Sequence, residues 1–349
     1  MKVVELKHSK SKVDKAGEIL KSLGLKSIQA DAELDVLSNW RAFHAMPLDT
    51  FAKVLRSRVK KISKSESILI AQRLKRTPSI LLKLRTHKTM RLSAMQDIGG
   101  LRAIFDNVQE VYNLVDVYRT SKSRHKLFVL HDYISTPKVD GYRSVHLVYQ
   151  LKKMPSLFIE IQVRSYLQHI WATAVEVFGT LKNSSFKSGH GDKKWLTLFA
   201  YLSSLFALKE GTPVLEDHSS LGKSQILDKL KKMISDLKAI EQLNVYTAIY
   251  RITSSEIKEK GRSGHYSLIL LDSSENTISI QAFGSNQIEE ATSIYMDMEK
   301  KFYNDVNMNV VLVNTGDVKK LEASYPNYFM DTKILVRYLS QIMIDKFGS

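Results

Sequence analysis

Apolar residues recur every three to four positions through the start of the chain: Leu34, Leu37 and Trp40, then Phe51, Val54, Leu55 and Val59. That spacing predicts helices over 11–24 and 31–62. A further helix is predicted over 78–88, with Thr77 as N-cap and Pro78 at the first helical position. The pattern then shortens. Strands are predicted at 101–106, 127–130, 144–151 and 157–164, and helices at 108–120, 165–181 and 193–209. Interleaved strands and helices of these lengths predict an α/β fold, a mixed sheet with flanking helices. The stretch EGTPVLEDHSSLGKS, 210–224, is rich in turn formers and reads as a linker or exposed loop. Beyond it come an amphipathic helix (225–241), strands (243–252, 265–271, 277–283, 308–314) and helices (286–303, 317–323 and about 328–346). The order predicts two domains, 1–241 and a small C-terminal α+β domain, 242–349.

Composition narrows the class. The chain has 349 residues, 44% hydrophobic and 25% charged, ordinary for a soluble globular protein. The most apolar window, WLTLFAYLSSLFAL at 195–208, is shorter than the roughly 20 residues a membrane helix needs, so a buried helix is expected and no membrane partner. MKVVELKHSKSK at the start is charged and lacks the apolar core of an export signal, which makes the cytoplasm the expected location. There is no cysteine, which excludes disulfides, thiol nucleophiles and cysteine-ligated zinc. The net charge of +16 is uneven: residues 51–100 hold 13 Lys/Arg against two acids, and 251–300 carry 5 − 8 = −3. Such clustering fits a polyanionic partner, and equally a solvated helix face.

Four short blocks carry candidate chemistry. In RLKRTPSILLK (73–83), Ser79 and Lys83 share a helix face, and Lys75 sits just before a helix N-terminus, where free N–H groups attract phosphate. A plain basic helix has the same look. In DIGGLR (97–102), Asp97 beside Gly99 and Gly100 fits a Mg²⁺ ligand or a turn-forming Asp. In HDYISTPKVDGYRSVH (131–146), Tyr133 and Tyr142 offer rings for stacking a base, and Lys138 and Arg143 offer charge to phosphate; a surface hairpin is the alternative. In FIEIQVR (158–164), Ile159, Ile161 and Val163 face one way and Glu160, Gln162 and Arg164 the other. Three polar groups on one face suggest a cleft, or a half-exposed strand; Glu160 suits a metal ligand or a general base. The His131–Asp132 dipeptide of metal phosphohydrolases lies in a loop, with no partner His or Asp at helix spacing.

Taken together, the blocks make residues 50–180 resemble the RelA/SpoT-type synthetase domain of alarmone synthetases. The family's GR-x-K-x-x-x-S-x-x-x-K is met by Arg73, Lys75, Ser79 and Lys83. Its D-x-x-G-x-R is met by Asp97, Gly100 and Arg102. Its KDYI-x-x-PK-x-N-GY-x-S-x-H is met by Asp132, Tyr133, Pro137, Lys138, Gly141, Tyr142, Ser144 and His146. Its E-x-Q-x-R is met by Glu160, Gln162 and Arg164, followed by QHIWA and Glu176. The resemblance implies a nucleotidyltransferase-like fold and a pyrophosphokinase, which moves the β,γ-diphosphate of ATP onto a ribose 3′-hydroxyl and releases AMP. It implies that Arg73 and Arg102 sandwich adenine and that Lys75, Ser79 and Lys83 hold the ATP phosphates. Asp97 and Glu160 would bind Mg²⁺, with Glu160 activating the attacking hydroxyl. Lys138, Tyr142, Arg143, His146, Gln162, Arg164 and His169 would form the acceptor side, with Tyr142 stacking on the base.

Two positions depart from the pattern. The family's Lys before DYI is His131, and its Asn before GY is Asp140. A lost cation and a gained anion disfavour a GDP or GTP acceptor. One subgroup of short synthetases instead pyrophosphorylates the 3′-CCA end of tRNA and stops translation. The basic residues Lys53, Arg56, Arg58, Lys60, Lys61 and Lys64 fit a tRNA-binding patch. YPNYF, 325–329, after a small α+β domain, is similar to the fused toxin–antitoxin group called CapRel, in which a C-terminal domain folds over the ATP site until a phage structural protein binds. That resemblance implies a regulatory role for Tyr325 and Tyr328 and a part in anti-phage defence, with GDP or GTP as the alternative acceptor. A monomer is compatible with the sequence.

Overall fold

The computed structural model describes residues 5–23, 30–63, 65, 68–181, 193–243, 251–252, 266–272, 275, 277–284, 286–302, 305, 308–314 and 333–347. Lys64, Tyr325, Tyr328 and the helix expected at 317–323 lie outside them.

The chain opens with helices α1 (Lys10–Leu23), α2 (Asp31–Phe43) and α3 (Ala45–Ile62). The single helix expected over 31–62 breaks at His44. Pro47 has no N–H to offer the Phe43 carbonyl, and proline fits only in a helix's first turn, so the chain starts a new helix there. Strand β1 (Leu69–Leu74) follows. It was not expected from the sequence, because Gln72 and Arg73 side by side interrupt the two-residue alternation. Helix α4 (Thr77–Thr86) starts after Arg76. Thr77 is its first residue and not its cap. Next come β2 (Gly99–Phe105), α5 (Val108–Thr120), β3 (Lys126–Asp132), β4 (Val145–Leu151), β5 (Met154–Ser165), α6 (Tyr166–Leu181), α7 (Lys193–Glu210) and α8 (Lys223–Asp236). The C-terminal part holds β6 (Arg251–Ile252), β7 (Tyr266–Asp272), β8 (Thr277–Phe283), α9 (Ile288–Phe302), β9 (Met308–Asn314) and α10 (Lys333–Met343).

The strands form one mixed sheet in the order β3-β4-β5-β2-β1-β9-β7-β8-β6, with β2 parallel to β5 and β1 antiparallel to both β2 and β9. This is the expected mixed sheet with flanking helices. The strands after residue 242 continue that same sheet: β9 pairs with β1 through Gln72↔Asn314 and Arg73↔Val313. Helix α9 packs on α2, and α10 packs on α6 and α8. So the sheet crosses the expected 241/242 boundary unbroken.

Two apolar clusters hold the layers. In one, Ile159, Ile161 and Val163 pack with α1, α2, α3 and α5. A Cβ on Gly99 would fall 2.8 Å from Ile159 Cδ1 and 3.7 Å from Leu48 Cδ1, which puts α3 on the Ile159 face of the sheet. The other cluster joins α6, α7, α8 and α10 around Trp171, Phe199, Phe206 and Leu339. The window 195–208 is buried in it, and no described helix is long and apolar enough to cross a membrane. The loop 210–224 is pinned to this cluster rather than exposed throughout: His218 is buried, stacks on Tyr201 and shares a 2.8 Å hydrogen bond with Ser204 Oγ.

Candidate active site

Strand register gathers the polar residues. Arg73 lies opposite Gly100, and Gly100 beside Glu160; Arg102 lies beside Gln162, and Gln162 opposite His146. The alternation of β5 does what its sequence implies: Ile159, Ile161 and Val163 are fully buried beneath the sheet, while Glu160, Gln162 and Arg164 line a cleft above it. A Cβ on Gly100 would meet only the Arg73 carbonyl, at 3.8 Å, so glycine here keeps the cleft floor open.

The cleft measures about 260 Å³. Of the expected site residues it is lined by Arg73, Lys75, Asp97, Arg102, Lys138, Tyr142, His146, Glu160, Gln162 and Arg164. Lys83 reaches it through Asp97, and Ser79 is half-buried in the first turn of α4. Two expected acceptor residues sit behind the lining. Arg143 donates to Ser203 Oγ at 3.0 Å, and His169 Nδ1 accepts from Arg164 Nη2 at 2.6 Å. Arg143 is buried where the loop before β4 packs against α7, and His169 by its place on α6 behind Arg164. Gly141, at φ +94°, lies where a Cβ would be 2.9 Å from Ser203 Cβ and 3.0 Å from the Trp171 ring; both the angle and the space require glycine. Trp171, Leu101 and Asp140 also line the cleft. Trp171 gave no signal in the sequence beyond its place in QHIWA.

The basic patch does not open into the cleft. Helix α3 lies on the Ile159 face, opposite Glu160. Lys60 and Lys61 are exposed there, whereas the Arg58 guanidinium sits 4.1 Å over the Tyr118 ring and donates to Ser121 Oγ at 2.9 Å. Arg56 is half-buried near Asp49 and Tyr266. Sequence counts these charges without telling which layer they occupy.

The two carboxylates differ in their partners. Asp97 accepts from Lys75 Nζ at 2.8 Å and Lys83 Nζ at 3.0 Å. Burial pushes its pKa up, but the two ammonium groups outweigh burial and lower it to about 2. Glu160 Oε1 bonds His146 Nδ1 at 2.8 Å, and its Oε2 accepts from Gln162 Nε2 at 2.9 Å. Burial again opposes the charge, and the His146 contact overcomes it, so Glu160 is held below the usual carboxylate range, against an opposing push from Asp97 in the same cleft. His146 is raised to about 9: burial lowers it, while Tyr142 and Glu160 raise it more. As an imidazolium it donates through both nitrogens, to Glu160 and, at 2.8 Å, to Tyr142 Oη. Arg164 is pushed below its usual range by burial and by the guanidiniums of Arg102 and Arg73. On the far side, Lys138 Nζ lies 4.5 Å over Tyr133 and 5.3 Å over Tyr142.

A raised histidine stabilises the fold fully below its unfolded pKa, and that contribution is lost as pH rises through the folded one. The stability gap between the wild type and His146→Gln should therefore be widest below pH 6.5 and close as pH passes about 9. Thermal unfolding of both proteins across that range is the measurement; a constant gap would show that the pair carries no net charge stabilisation.

Asp97 and Glu160 suit a divalent cation. They are hard oxygen donors that feel each other's charge, and Mg²⁺ characteristically takes one or two carboxylates and completes its shell with phosphate oxygens and water. Among the described residues no three His, Cys, Asp or Glu gather into a cluster able to hold a metal by themselves, so phosphate would have to supply the remaining ligands.

Comparison with known proteins bears on this same stretch. Residues 72–184 match the family model described as a region found in RelA / SpoT proteins. The chain is 32% identical over 84 residues to the GTP pyrophosphokinase YwaC of Bacillus subtilis, a match covering 23% of this chain and 40% of that protein. It is 32% identical over 111 residues to the GTP pyrophosphokinase YjbM of the same organism, covering 30% of this chain and 52% of that one. The aligned part thus spans about half or less of these relatives. Among solved structures, small alarmone synthetase 1 from Bacillus subtilis bound to pppGpp aligns with a TM-score of 0.39 at 24% identity, over 47% of this chain and 90% of that one. The stretch that matches this family model, residues 72–184, holds both carboxylates and the lysines that pair with Asp97.

Proposed function

We propose that this protein is an ATP-dependent diphosphotransferase, a pyrophosphokinase that carries the β,γ-diphosphate of ATP to a ribose 3′-hydroxyl. The observation that carries the reading is the pairing of Asp97 with Lys75 and Lys83 beside Glu160 on one cleft floor, with the Tyr142 ring across from them. In this reading the acceptor hydroxyl oxygen attacks the β-phosphorus, the bond to the bridging oxygen of the α-phosphate breaks, and AMP leaves. Glu160, unprotonated at neutral pH and oriented by His146 and Gln162, takes the hydroxyl proton. Lys75 and Lys83 exchange Asp97 for phosphate oxygens. Arg73 and Arg102 flank the adenine, and Tyr142 stacks on the acceptor's base. Bound Mg²⁺, held by Asp97 and Glu160, would neutralise charge on the diphosphate. Such transfer depends on positioning and charge neutralisation more than on covalent help.

For the acceptor, the 3′-CCA end of tRNA comes first. Asp140 supports it. Its Oδ1 accepts from Tyr142 N–H at 2.9 Å, a bond asparagine would make equally well, so the substitution changes only the charge lining the acceptor side. A nucleoside diphosphate would bring its own phosphates toward that charge. GDP or GTP is the second acceptor. It is favoured by the place of α3 behind the sheet, which keeps Lys60 and Lys61 away from the cleft mouth, and by the activity named for the two relatives. The wider reading, a translation-blocking toxin restrained by its C-terminal region and released by a phage structural protein, rests on the CapRel resemblance and on β9, which pairs with the strand that carries Arg73.

The test is transfer of label from γ-³²P-ATP to deacylated tRNA, GDP or GTP by the full-length protein. Label on tRNA is the expected result, with Lys60→Glu/Lys61→Glu reducing it if the acceptor stem also touches α3. Label on GDP or GTP alone would replace the acceptor, and label on none of them would remove the reaction.

A further inference from the structure

Helix α4 carries Ser79 and Lys83, and the turn before it carries Lys75. Yet its N-cap position is Arg76, which makes no side-chain cap hydrogen bond, and Pro78 in its first turn has no N–H. The missing acceptor comes from far along the chain. Glu299, on α9, accepts from Thr77 N–H at 3.2 Å with Oε1 and from Thr77 Oγ1 at 2.9 Å with Oε2. Arg41, on α2, completes the arrangement. Its Nε donates to the Lys75 carbonyl at 2.9 Å, its Nη1 to Thr77 Oγ1 at 2.8 Å and to Glu299, and its Nη2 to Tyr295 Oη at 2.5 Å. Arg41 is fully buried and Glu299 is 8% exposed. An anion at a helix N-terminus is favourable both to the free N–H groups and to the helix dipole.

We infer that Glu299 and Arg41 are positioning residues for the nucleotide side of the cleft: the C-terminal region supplies the cap that α4 lacks and fixes the Lys75–Thr77 turn. This rests on the pyrophosphokinase reading for what that side binds. Four hydrogen bonds hold a three-residue turn that joins Arg73, near the end of β1, to the first turn of α4. A shift there moves Lys75 and Lys83 together and leaves the acceptor side, built on β4, β5 and the 131–146 loop, in place. The network also makes the C-terminal region part of the site, through α9 as well as through β9.

Breaking one partner of a buried pair leaves an uncompensated charge, so Glu299→Gln is expected to be strongly destabilised, whereas replacing both with apolar residues of similar size is often tolerated. The decisive variant is therefore Arg41→Met/Glu299→Met in the full-length chain. Four things are read: the melting temperature, the Kd for a non-hydrolysable ATP analogue, the KM for each substrate, and hydrogen exchange at the amides of Thr77 and Ser79. The expected result is a folded protein whose Kd and KM for ATP rise about tenfold, the scale of one lost cap together with its charge. The acceptor KM should be unchanged, and the two amides should exchange faster. A folded double variant with wild-type ATP affinity would overturn the inference, and so would an equal rise in both KM values. Arg41→Lys, which keeps the charge but cannot reach the Lys75 carbonyl and Glu299 as a planar fork, should lie between; full recovery would mean that charge alone suffices and would overturn the positioning role of the guanidinium. Analogue binding is measured without an acceptor. If the wild type binds ATP but transfers nothing, the pyrophosphokinase reading fails while this one is still decided.

Discussion

Glu160→Gln is expected to lower the proposed diphosphate transfer by about 10³-fold or more while ATP still binds, because a positioned general base would contribute roughly 10²–10⁴-fold and a bound Mg²⁺ would lose an anionic ligand in the same substitution. The partners of Glu160 make the prediction sharper. One carboxylate oxygen accepts from His146 and the other from Gln162. Glutamine keeps a single acceptor and no charge, so the His146 imidazolium loses its anionic partner whichever way the two amides turn. His146 would then lose the contact that helps to raise it to about 9, and burial would push it back toward the neutral form. The variant should therefore show the His146 titration moved to lower pH by NMR, along with its loss of transfer. Lys75, Lys83 and Arg73 are untouched, so the Kd for ATP in the absence of metal should change little. Retained turnover would remove Glu160 from the chemistry. Loss of ATP binding in parallel with turnover would make it a structural residue of the cleft floor.

How much of this could be read beforehand divides along physical lines. The alternation of FIEIQVR was legible because a strand with one dry face must put its other side chains together, and the structure brings Glu160, Gln162 and Arg164 to one cleft. DIGGLR was legible for a similar reason: a glycine pair admits close approach, and Gly99 is packed against Ile159 while Gly100 opens the floor. Strand β1 was not legible, because its polar pair faces two different environments. Arg73 lines the cleft, and Gln72 is buried against the opposite layer. The basic run at 51–64 gave its charge but not its place, since helical periodicity says which residues share a face and nothing about the side of the sheet on which that face lands. The Glu299–Thr77 link could not have been seen at all. A cap supplied by a residue 222 positions away leaves no local trace except the absence of a good capping residue at Arg76.

Asp97→Asn should move two measurements in opposite directions. Asp97 now sits between the ammonium groups of Lys75 and Lys83 and remains ionised down to a pH of about 2. Asparagine carries no charge and can accept well from only one of the two lysines, while its own amide nitrogen repels the other. Two cations lined up for phosphate would thus lose the anion that neutralises them in the resting site. Binding of an ATP analogue without divalent metal should strengthen, by roughly tenfold if each freed, half-exposed charge is worth about 0.5–1 kcal/mol. Transfer with metal present should instead fall by about 10²–10³-fold, the scale reported for removing one electrostatic contributor from a preorganised site. The gain in metal-free binding should shrink as salt rises, since it comes from partly exposed charges. Isothermal titration with the analogue at two ionic strengths, with and without Mg²⁺, beside a single-turnover transfer assay, reads all three. A purely structural aspartate would give a different pattern: a lower melting temperature with binding and transfer falling together. Weaker metal-free binding at an unchanged melting temperature would mean that Asp97 holds Lys75 and Lys83 in place for phosphate rather than competing for them, and the exchange of partners proposed for the two lysines would have to be given up.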